Sequence, residues 1–195
     1  MNFPDKKYQI VYADPPWQFN FHKRKGLSEK AVNNLYPTLD ADSIISLQVG
    51  AIIDDTALLF LWVMNSEIPL ALRCIERWGF NYITVAFTWV KTTKNTYHFG
   101  GGNWTRSNPE LCLLARHGKI SRVSASIKNL VISPLQKHSH KPDSIRDDIV
   151  KLCGDLPRIE LFSRREYEGW DVLGNEIDGM DIRDSLELLT EWFKL

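Results

Sequence analysis

Four consecutive residues, Asp14, Pro15, Pro16 and Trp17, place a carboxylate, two proline carbonyls and a large aromatic ring within one short turn. Neither proline has a backbone N–H, so the turn offers hydrogen-bond acceptors without competing donors at those positions. The turn directly follows the apolar run Tyr8–Ala13, which has the length and composition of a buried strand. Because ligands of open α/β sheets bind beyond the carboxyl ends of strands, these four residues are the candidate catalytic group.

This set of groups suits a flat base that carries an exocyclic amine. The lone pair of adenine's amino nitrogen is delocalised into the ring, so that nitrogen is a poor nucleophile. Two acceptors that hold its hydrogens would favour a pyramidal nitrogen, and placement against an electrophilic methyl group would supply much of the rate. We expect Trp17 to stack on the base, a contact worth about 1–3 kcal/mol, and the target base to be unpaired or flipped out of a duplex. The alternative is a purely structural turn that ends a strand and buries Trp17.

The segments around this turn alternate between strand and helix patterns. A second apolar run at 57–63 predicts another buried strand, and Ser66 and Pro69 then mark the start of a helix that Gly79 ends. Further strands are predicted at 82–90, 111–115, 130–132, 159–162 and 170–173, further helices at 40–47, 142–152 and 182–193, and long loops at 18–37 and 91–108. The alternation predicts a single α/β layered domain over residues 1–195.

The composition is that of a globular chain. The apolar fraction of 44% and the charged fraction of 25% are ordinary, and no apolar run approaches the length of a membrane span. The cysteines Cys74, Cys112 and Cys153 lie far apart without CxxC spacing, which indicates buried thiols in a reducing, cytoplasmic compartment.

The charges balance in total but are unevenly distributed. The 24 Lys and Arg residues match 24 Asp and Glu residues, so the net charge by itself does not indicate a nucleic-acid partner. Basic groups occur at 22–25 and around 137–141, whereas 171–195 holds seven acids opposed only by Arg183 and Lys194. One basic and one acidic face would fit a neutral enzyme of nucleic acid, and solvated charge on loops is the alternative.

Several separated motifs occur along the chain in a fixed order. They are ADPPW at 13–17, LFLWV at 59–63, WVKT at 89–92, GNW at 102–104 with ELCL at 110–113, HSHKPD at 138–143, ELFSR at 160–164, and GWD at 169–171 with GNE at 174–176. In this order, over about residues 8–176, the chain resembles the adenine-N6 methyltransferase family of the eukaryotic mRNA adenosine-methyltransferase catalytic subunit (MT-A family), including its short bacterial and phage members.

The resemblance implies a Rossmann-like methyltransferase fold that uses S-adenosyl-L-methionine, in a permuted order with the catalytic motif ahead of the main cofactor-binding strand. This order agrees with the absence of GxGxxG and GxxxxGK[ST] from the chain. Carried over by residue, Asp14 would face both the substrate amine and the cofactor's methionine amine, and Lys141 would meet the methionine carboxylate as a point charge. The other cofactor-binding residues implied by the resemblance are Phe162, Arg164, Asn175 and Glu176. Glu176 stands where the best-known eukaryotic members have Gln, and its carboxylate can still accept from ribose hydroxyls.

Contacts to the nucleic acid are expected from the two long loops, for which ordinary surface loops are the alternative. The candidates are Lys23, Arg24 and Lys25 on the first loop, and Lys91, Asn103, Trp104, Arg106 and Asn108 on the second. The three basic residues of the first loop would contact phosphates, which position a nucleic acid without reading its bases. The histidines show no closed metal-ligand spacing, so no metal is expected.

The sequence therefore predicts methyl transfer from S-adenosyl-L-methionine to the N6 amine of adenine, by direct in-line attack, in DNA slightly ahead of RNA. Two alternatives stay open. One is a catalytically silent subunit that binds cofactor or nucleic acid, and the other is methylation of another amine, on cytosine N4 or a protein glutamine. A homodimer or a partner subunit is compatible with the sequence, and a membrane partner is not expected.

Overall fold

The computed structural model describes residues 6–17, 39–94, 96–101, 104–136 and 140–194. Its strands are β1 (Tyr8–Ala13), β2 (Ile53–Val63), β3 (Asn81–Thr93), β4 (Thr96–Tyr97), β5 (Glu110–His117), β6 (Leu130–Pro134), β7 (Arg158–Leu161) and β8 (Asp171–Leu173). Its helices are α1 (Ala41–Ile45), α2 (Ile68–Arg77), α3 (Ser144–Cys153), α4 (Asn175–Asp178) and α5 (Ile182–Trp192). The predicted α/β class is confirmed.

The strands form one mixed sheet in the order β4-β3-β5-β2-β1-β7-β8, with β6 paired to β3 outside this path. The central strands β2, β1, β7 and β8 run parallel. Strand β5 is antiparallel to both β2 and β3, so β3 points the same way as the central strands. The carboxyl ends of β1, β2, β3, β7 and β8 therefore share one edge of the sheet, which we call the catalytic edge.

Burial of both sheet faces explains why β1 is apolar apart from Gln9 and why β2 is apolar from Ala57 to Val63. Successive side chains of a strand point to opposite faces. Val11 and Leu59 accordingly pack on one face with residues of α1, α2 and α5, while Tyr12 and Phe60 pack on the other face with residues of α3. A strand covered on both faces has no polar side, as parallel strands of α/β proteins require.

Two local predictions differ from the structure, and a third falls on residues that it does not describe. Ser66 does not cap α2, because a 3-10 turn, Asn65–Glu67, comes first and the helix begins at Ile68. Strand β3 continues past Val90 to Thr93, because Lys91 and Thr92 pair with β6, so Lys91 lies on a strand and not on the long loop. The predicted long loop at 18–37 lies outside the described residues. Among the described residues, no helix is long and apolar enough to cross a membrane.

Candidate active site

The register of three parallel strands aligns the predicted catalytic turn with the predicted cofactor residues. Ala13 at the end of β1 pairs with Leu161 at the end of β7, and Leu161 pairs with Leu173 at the end of β8. Asp14, Phe162 and Gly174 directly follow the ends of β1, β7 and β8. They therefore lie side by side along the catalytic edge. Strands far apart in sequence thus converge at the site that the motifs predicted.

A chain of buried ion pairs extends from the catalytic turn into the neighbouring half of the sheet. Lys141 Nζ lies 2.6 Å from Asp14 Oδ2 and 3.1 Å from Glu110 Oε2. Lys91 Nζ pairs with Glu110 Oε1 at the far end of the chain. The Lys141 side chain is only 7% exposed, whereas Asp14 keeps 36% of its side chain exposed. Two carboxylates and two ammonium groups thus balance, and Asp14 is the member that opens to solvent.

The balance of burial and pairing differs among the members of this chain. Burial opposes ionisation of Glu110, but Lys141 and Lys91 outweigh it and hold the pKa of Glu110 below its ordinary value. Burial also acts to lower the pKa of Lys141, but the carboxylates of Asp14 and Glu110 outweigh it and raise that pKa. For Asp14 burial is the stronger influence, and it raises the pKa against the attraction of Lys141. Because its pKa is raised, Lys141 stays a cation at neutral pH.

The catalytic turn is fixed by Trp17, whose position corrects one prediction. The Trp17 ring is 5% exposed and belongs to the core cluster that also contains residues of α2 and α5. Its indole N–H donates to the carbonyl of Trp62 at 2.9 Å, and its backbone N–H donates to the carbonyl of Pro15 at 2.8 Å. The predicted stacking on a base is wrong for this arrangement because a buried ring offers no open face. Trp17 instead holds Asp14 and the two prolines in place.

The ends of β7 and β8 form a second, closely packed turn beside Asp14. Phe162 has φ 64, a left-handed conformation that is uncommon outside glycine and that clusters at functional sites. The Ser163 N–H donates to the carbonyl of Leu173 at 2.9 Å. A Cβ on Gly174 would lie 2.0 Å from the Ser163 carbonyl oxygen, so only glycine permits this approach. The structure thus provides a backbone cradle next to the carboxylate of Asp14.

The other predicted cofactor residues surround this cradle. Asn175 and Glu176 begin α4 directly after Gly174, and both are exposed. Arg164 Nε lies 3.5 Å from Glu176 Oε1, which joins the ends of β7 and β8 by a partly exposed ion pair. Polar groups that can reach a ligand therefore lie on the side of Asp14 opposite to Glu110.

The predicted substrate residues have different positions. Asn108 is buried, and its amide accepts from Lys91 N at 2.9 Å while donating to the carbonyls of Lys91 and His98. Its amide oxygen and both amide hydrogens bond within the protein, so the expected contact of Asn108 with the nucleic acid is wrong for this arrangement. Trp104 is 98% exposed, and Arg106 is exposed and donates to the carbonyls of Phe99 and Gly100. Lys23, Arg24, Lys25 and Asn103 lie outside the described residues.

Sequence reasoning missed Glu110 as a member of the site. A signal was present, because Glu110 is the only acidic residue between Glu76 and Asp143 and directly precedes the apolar run 111–115. A carboxylate on a strand that is buried on both faces needs a partner, since an isolated buried charge is costly. The sequence does not say which of the distant lysines supplies it.

Two further groups support the segment that carries Lys141. Arg146 of α3 donates to both carboxylate oxygens of Glu160 on β7, at 2.7 and 2.6 Å. Asp143 accepts from His140 at 3.0 Å, from Tyr167 at 2.7 Å and from Arg165. These bonds attach both sides of Lys141 to the β7–β8 region. Among the described residues, no group of three His, Cys, Asp or Glu could hold a metal ion.

Comparisons with known proteins find one family over most of the chain. A family model described as MT-A70 matches residues 8–176. The type II methyltransferase M.MunI of Mycoplasma sp is 34% identical over 190 residues, which cover 89% of this chain and 79% of that protein. An N(6)-adenosine-methyltransferase MT-A70-like protein of Drosophila melanogaster is 30% identical over 96% of this chain and 30% of its own length. The human N(6)-adenosine-methyltransferase catalytic subunit METTL3 is 29% identical over 91% of this chain and 30% of its own length. The chain thus spans less than a third of these two animal relatives.

Proposed function

Because the chain belongs to the MT-A70 family, we propose that it is an S-adenosyl-L-methionine-dependent methyltransferase that acts on the N6 amine of adenine in nucleic acid. The observation that carries this proposal is the pair formed by Lys141 and Asp14 at the end of β1, beside the cradle of Phe162 and Gly174. One cation and one carboxylate at a strand end can hold the two charged groups of an amino acid.

The described residues fit the cofactor. Its methionine part carries a carboxylate and an ammonium, which match Lys141 and the partly exposed Asp14. Asn175 and Glu176 are exposed at the end of β8 and can bond ribose hydroxyls and adenine, and Arg164 pairs with Glu176 beside them. The absence of a side chain on Gly174 lets the ends of β7 and β8 pack against each other, because a Cβ there would lie 2.0 Å from the Ser163 carbonyl oxygen. When bound, the cofactor supplies an electrophilic methyl group.

The chain's own residues act by orientation and electrostatics. Asp14 and one proline carbonyl of the turn accept the two hydrogens of the substrate amine, which leaves its lone pair directed outward. Trp17 fixes this turn through its bond to Trp62. Lys141 and Glu110 hold the Asp14 carboxylate in one position, so little reorganisation is needed during the reaction. Once it has taken the methyl group from the sulfonium sulfur, which would leave as a neutral thioether, the amine nitrogen would release one of its two protons to solvent and keep the other. No covalent bond to the enzyme forms.

We place DNA ahead of RNA as the substrate. The bacterial type II methyltransferase is similar to this chain over most of both lengths, whereas the relatives named for adenosine are much longer. A cytoplasmic location and a homodimer or partner subunit belong to the same proposal. Cytosine N4 and protein glutamine remain the alternative amines, and a silent binding subunit the alternative role.

Transfer of a labelled methyl group tests the proposal. Oligonucleotides that contain adenine should accept label, and matched oligonucleotides in which every adenine is replaced should not. Calorimetric titration with the cofactor distinguishes an active enzyme from a silent binding subunit when it is combined with the transfer assay. A silent subunit would bind the cofactor without transferring label. Equal labelling of adenine-free oligonucleotides would contradict adenine as the target.

A further inference from the structure

Exposed cations without a carboxylate partner are concentrated in one part of the chain. Of the ten such cations among the described residues, seven lie between Arg77 and Lys128, and the other three are Lys6, Lys7 and Arg73. From Arg77 to Pro142 the sequence holds ten Lys and Arg residues and a single acid, Glu110. From Asp143 to the end it holds fourteen acids and seven Lys and Arg residues. The zero net charge therefore conceals a strongly basic stretch and a strongly acidic one.

The two stretches also differ in how many of their cations form ion pairs. After Pro142, every Lys and Arg has a carboxylate oxygen within 4.0 Å. Between Arg77 and Pro142, Lys91 and Lys141 are bound within the active-site chain. The other described cations of this stretch are all exposed and pair with no carboxylate of the described residues: Arg77, Lys94, Arg106, Arg116, Lys119, Arg122 and Lys128.

The fold arranges these cations along the outer half of the sheet. Lys94 directly follows β3 and Arg106 precedes β5, so both lie near the catalytic edge. Strand β5 runs away from that edge and carries Arg116 to the opposite edge, where it pairs with Asn81 at the start of β3. Cations thus occur at both ends of this half of the sheet.

The segment between β5 and β6 returns across one face. Ile120 and Ile127 pack on the core cluster that contains residues of α3, and Leu130 then pairs with Thr88 in β3. Lys119, Arg122 and Lys128 are exposed along this segment. We call the exposed, unpaired cations from Lys94 to Lys128 the basic track.

We propose that the basic track binds the phosphate backbone of the nucleic acid on one side of the target nucleotide. This inference rests on the proposed function, since it gives that substrate a path away from the catalytic edge. Exposed cations without carboxylate partners attract a polyanion, and phosphate contacts position it without reading its sequence. The acidic stretch after Pro142 would repel the same backbone and so restrict it to one side.

The length of the track sets the length of substrate that can use it. Strand β5 has eight residues and spans about 26 Å at ~3.3 Å per residue. At about 3.4 Å per nucleotide of one strand, this distance corresponds to roughly eight nucleotides. An oligonucleotide much shorter than this on the relevant side reaches only the catalytic edge.

The test compares two triple variants that change the net charge equally. The track variant is Lys119→Gln with Arg122→Gln and Lys128→Gln. The control variant is Lys151→Gln with Arg183→Gln and Lys194→Gln, in which each exposed cation already has a carboxylate partner. Binding of a labelled duplex of about 24 base pairs is titrated at several salt concentrations, and methyl transfer to it is measured with the wild type.

We expect the track variant to lower the slope of log Kd against log salt by about 2 to 3, since each phosphate contact contributes about 0.9. The control variant should keep the wild-type slope, cofactor affinity should be unchanged in both, and a duplex with about three base pairs on each side should bind all three proteins alike. Equal slopes for the wild type and the track variant, or an equal loss in the control, would overturn the proposal.

Failure of the proposed function gives a different result. Salt-dependent binding without methyl transfer would overturn that function and leave the track standing, whereas transfer with unchanged slopes would overturn only the track. Absence of binding by the wild type would overturn both. Light scattering at low and high salt tests whether the basic track binds a second copy of the protein instead of nucleic acid. A salt-sensitive dimer that the track variant abolishes, with the nucleic-acid slope unchanged, would assign the track to the acidic stretch of another copy.

Discussion

Lys141 Nζ lies 2.6 Å from Asp14 Oδ2, although the two residues are 127 positions apart in the chain. Asp14 ends the first strand, whereas Lys141 precedes α3, so their contact exists only in the folded sheet. Glu110, 3.1 Å from the same ammonium, fixes Lys141 from the other side. The pair places opposite charges at the point where β1, β7 and β8 end together.

Replacing Lys141 by Met should weaken cofactor binding. If the ammonium meets the methionine carboxylate, its loss removes a charge-assisted hydrogen bond worth about 1.5–3 kcal/mol, which corresponds to a Kd raised about 10- to 150-fold. Calorimetric titration of the folded variant measures this, with Lys151→Met as the exposed control. An unchanged cofactor Kd with weakened nucleic-acid binding would reassign Lys141 to the phosphate backbone.

Replacing Glu110 by Gln should destabilise the protein strongly. The Glu110 side chain is 11% exposed and serves two lysines, and breaking a buried ion pair costs about 3–5 kcal/mol. The matched change Glu191→Gln removes a carboxylate that is 62% exposed and paired with Lys194, so it should cost about 0–1 kcal/mol. Urea denaturation compares the two. Similar losses in both variants would show that the active-site chain adds no more than a surface pair.

The sequence predicted the backbone of the site better than its side-chain contacts. The apolar runs of β1 and β7 predicted buried strands, and the family resemblance assigned Asp14 and Phe162 to one cofactor site. The parallel pairing of the two strands then brings both residues to one edge. The direction of Trp17 was not predicted, because a ring after a strand can pack inward or remain open, and only the position of the Trp62 carbonyl decides it.

Contacts between distant segments account for the other differences. Pairing with β6 extends β3 through Lys91, a polar stretch that has no strand pattern of its own. The ion pair between Glu110 and Lys141 and the hydrogen bond from Lys91 N to the Asn108 side chain join segments that meet only in the folded sheet. Local patterns carry no information on such pairs. The family resemblance implied that Lys141 and Asp14 both meet the methionine part of the cofactor, and the structure brings the two side chains into contact.

Substituting Ala for Gly174 should disturb the cradle at the end of β8. The new Cβ would lie 2.0 Å from the Ser163 carbonyl oxygen, and overpacking of this kind costs about 1–3 kcal/mol or more. We expect a lower free energy of unfolding together with weaker cofactor binding. Gly101→Ala is the control, since its Cβ would meet no atom within 4 Å. Equal stability and cofactor affinity in the two variants would contradict the assignment of the cradle.

Asp143→Asn should make stability less sensitive to acid. Partial burial opposes ionisation of Asp143, but hydrogen bonds from Arg165, Tyr167 and His140 outweigh it and hold the pKa of this carboxyl well below its ordinary value. A carboxyl with a lowered pKa in the folded state contributes stability above its unfolded pKa of about 3.9, and this contribution is lost as the pH falls below that value. Urea denaturation at a series of pH values from 6 to 2 should give a shallower decline for the variant. Parallel curves would show that the cluster around Asp143 does not stabilise the ionised form.

The most direct test of the central claim is to identify the methylated atom. The protein is incubated with cofactor and with DNA and RNA of matched sequence, the products are digested to nucleosides, and these are separated by mass spectrometry against standards. The account predicts N6-methyl-2′-deoxyadenosine from DNA, and a loss of about 100- to 1000-fold in its rate of formation with a folded Asp14→Asn variant. Methylation found on cytosine, or undiminished formation of the product by the Asp14 variant, would contradict the account.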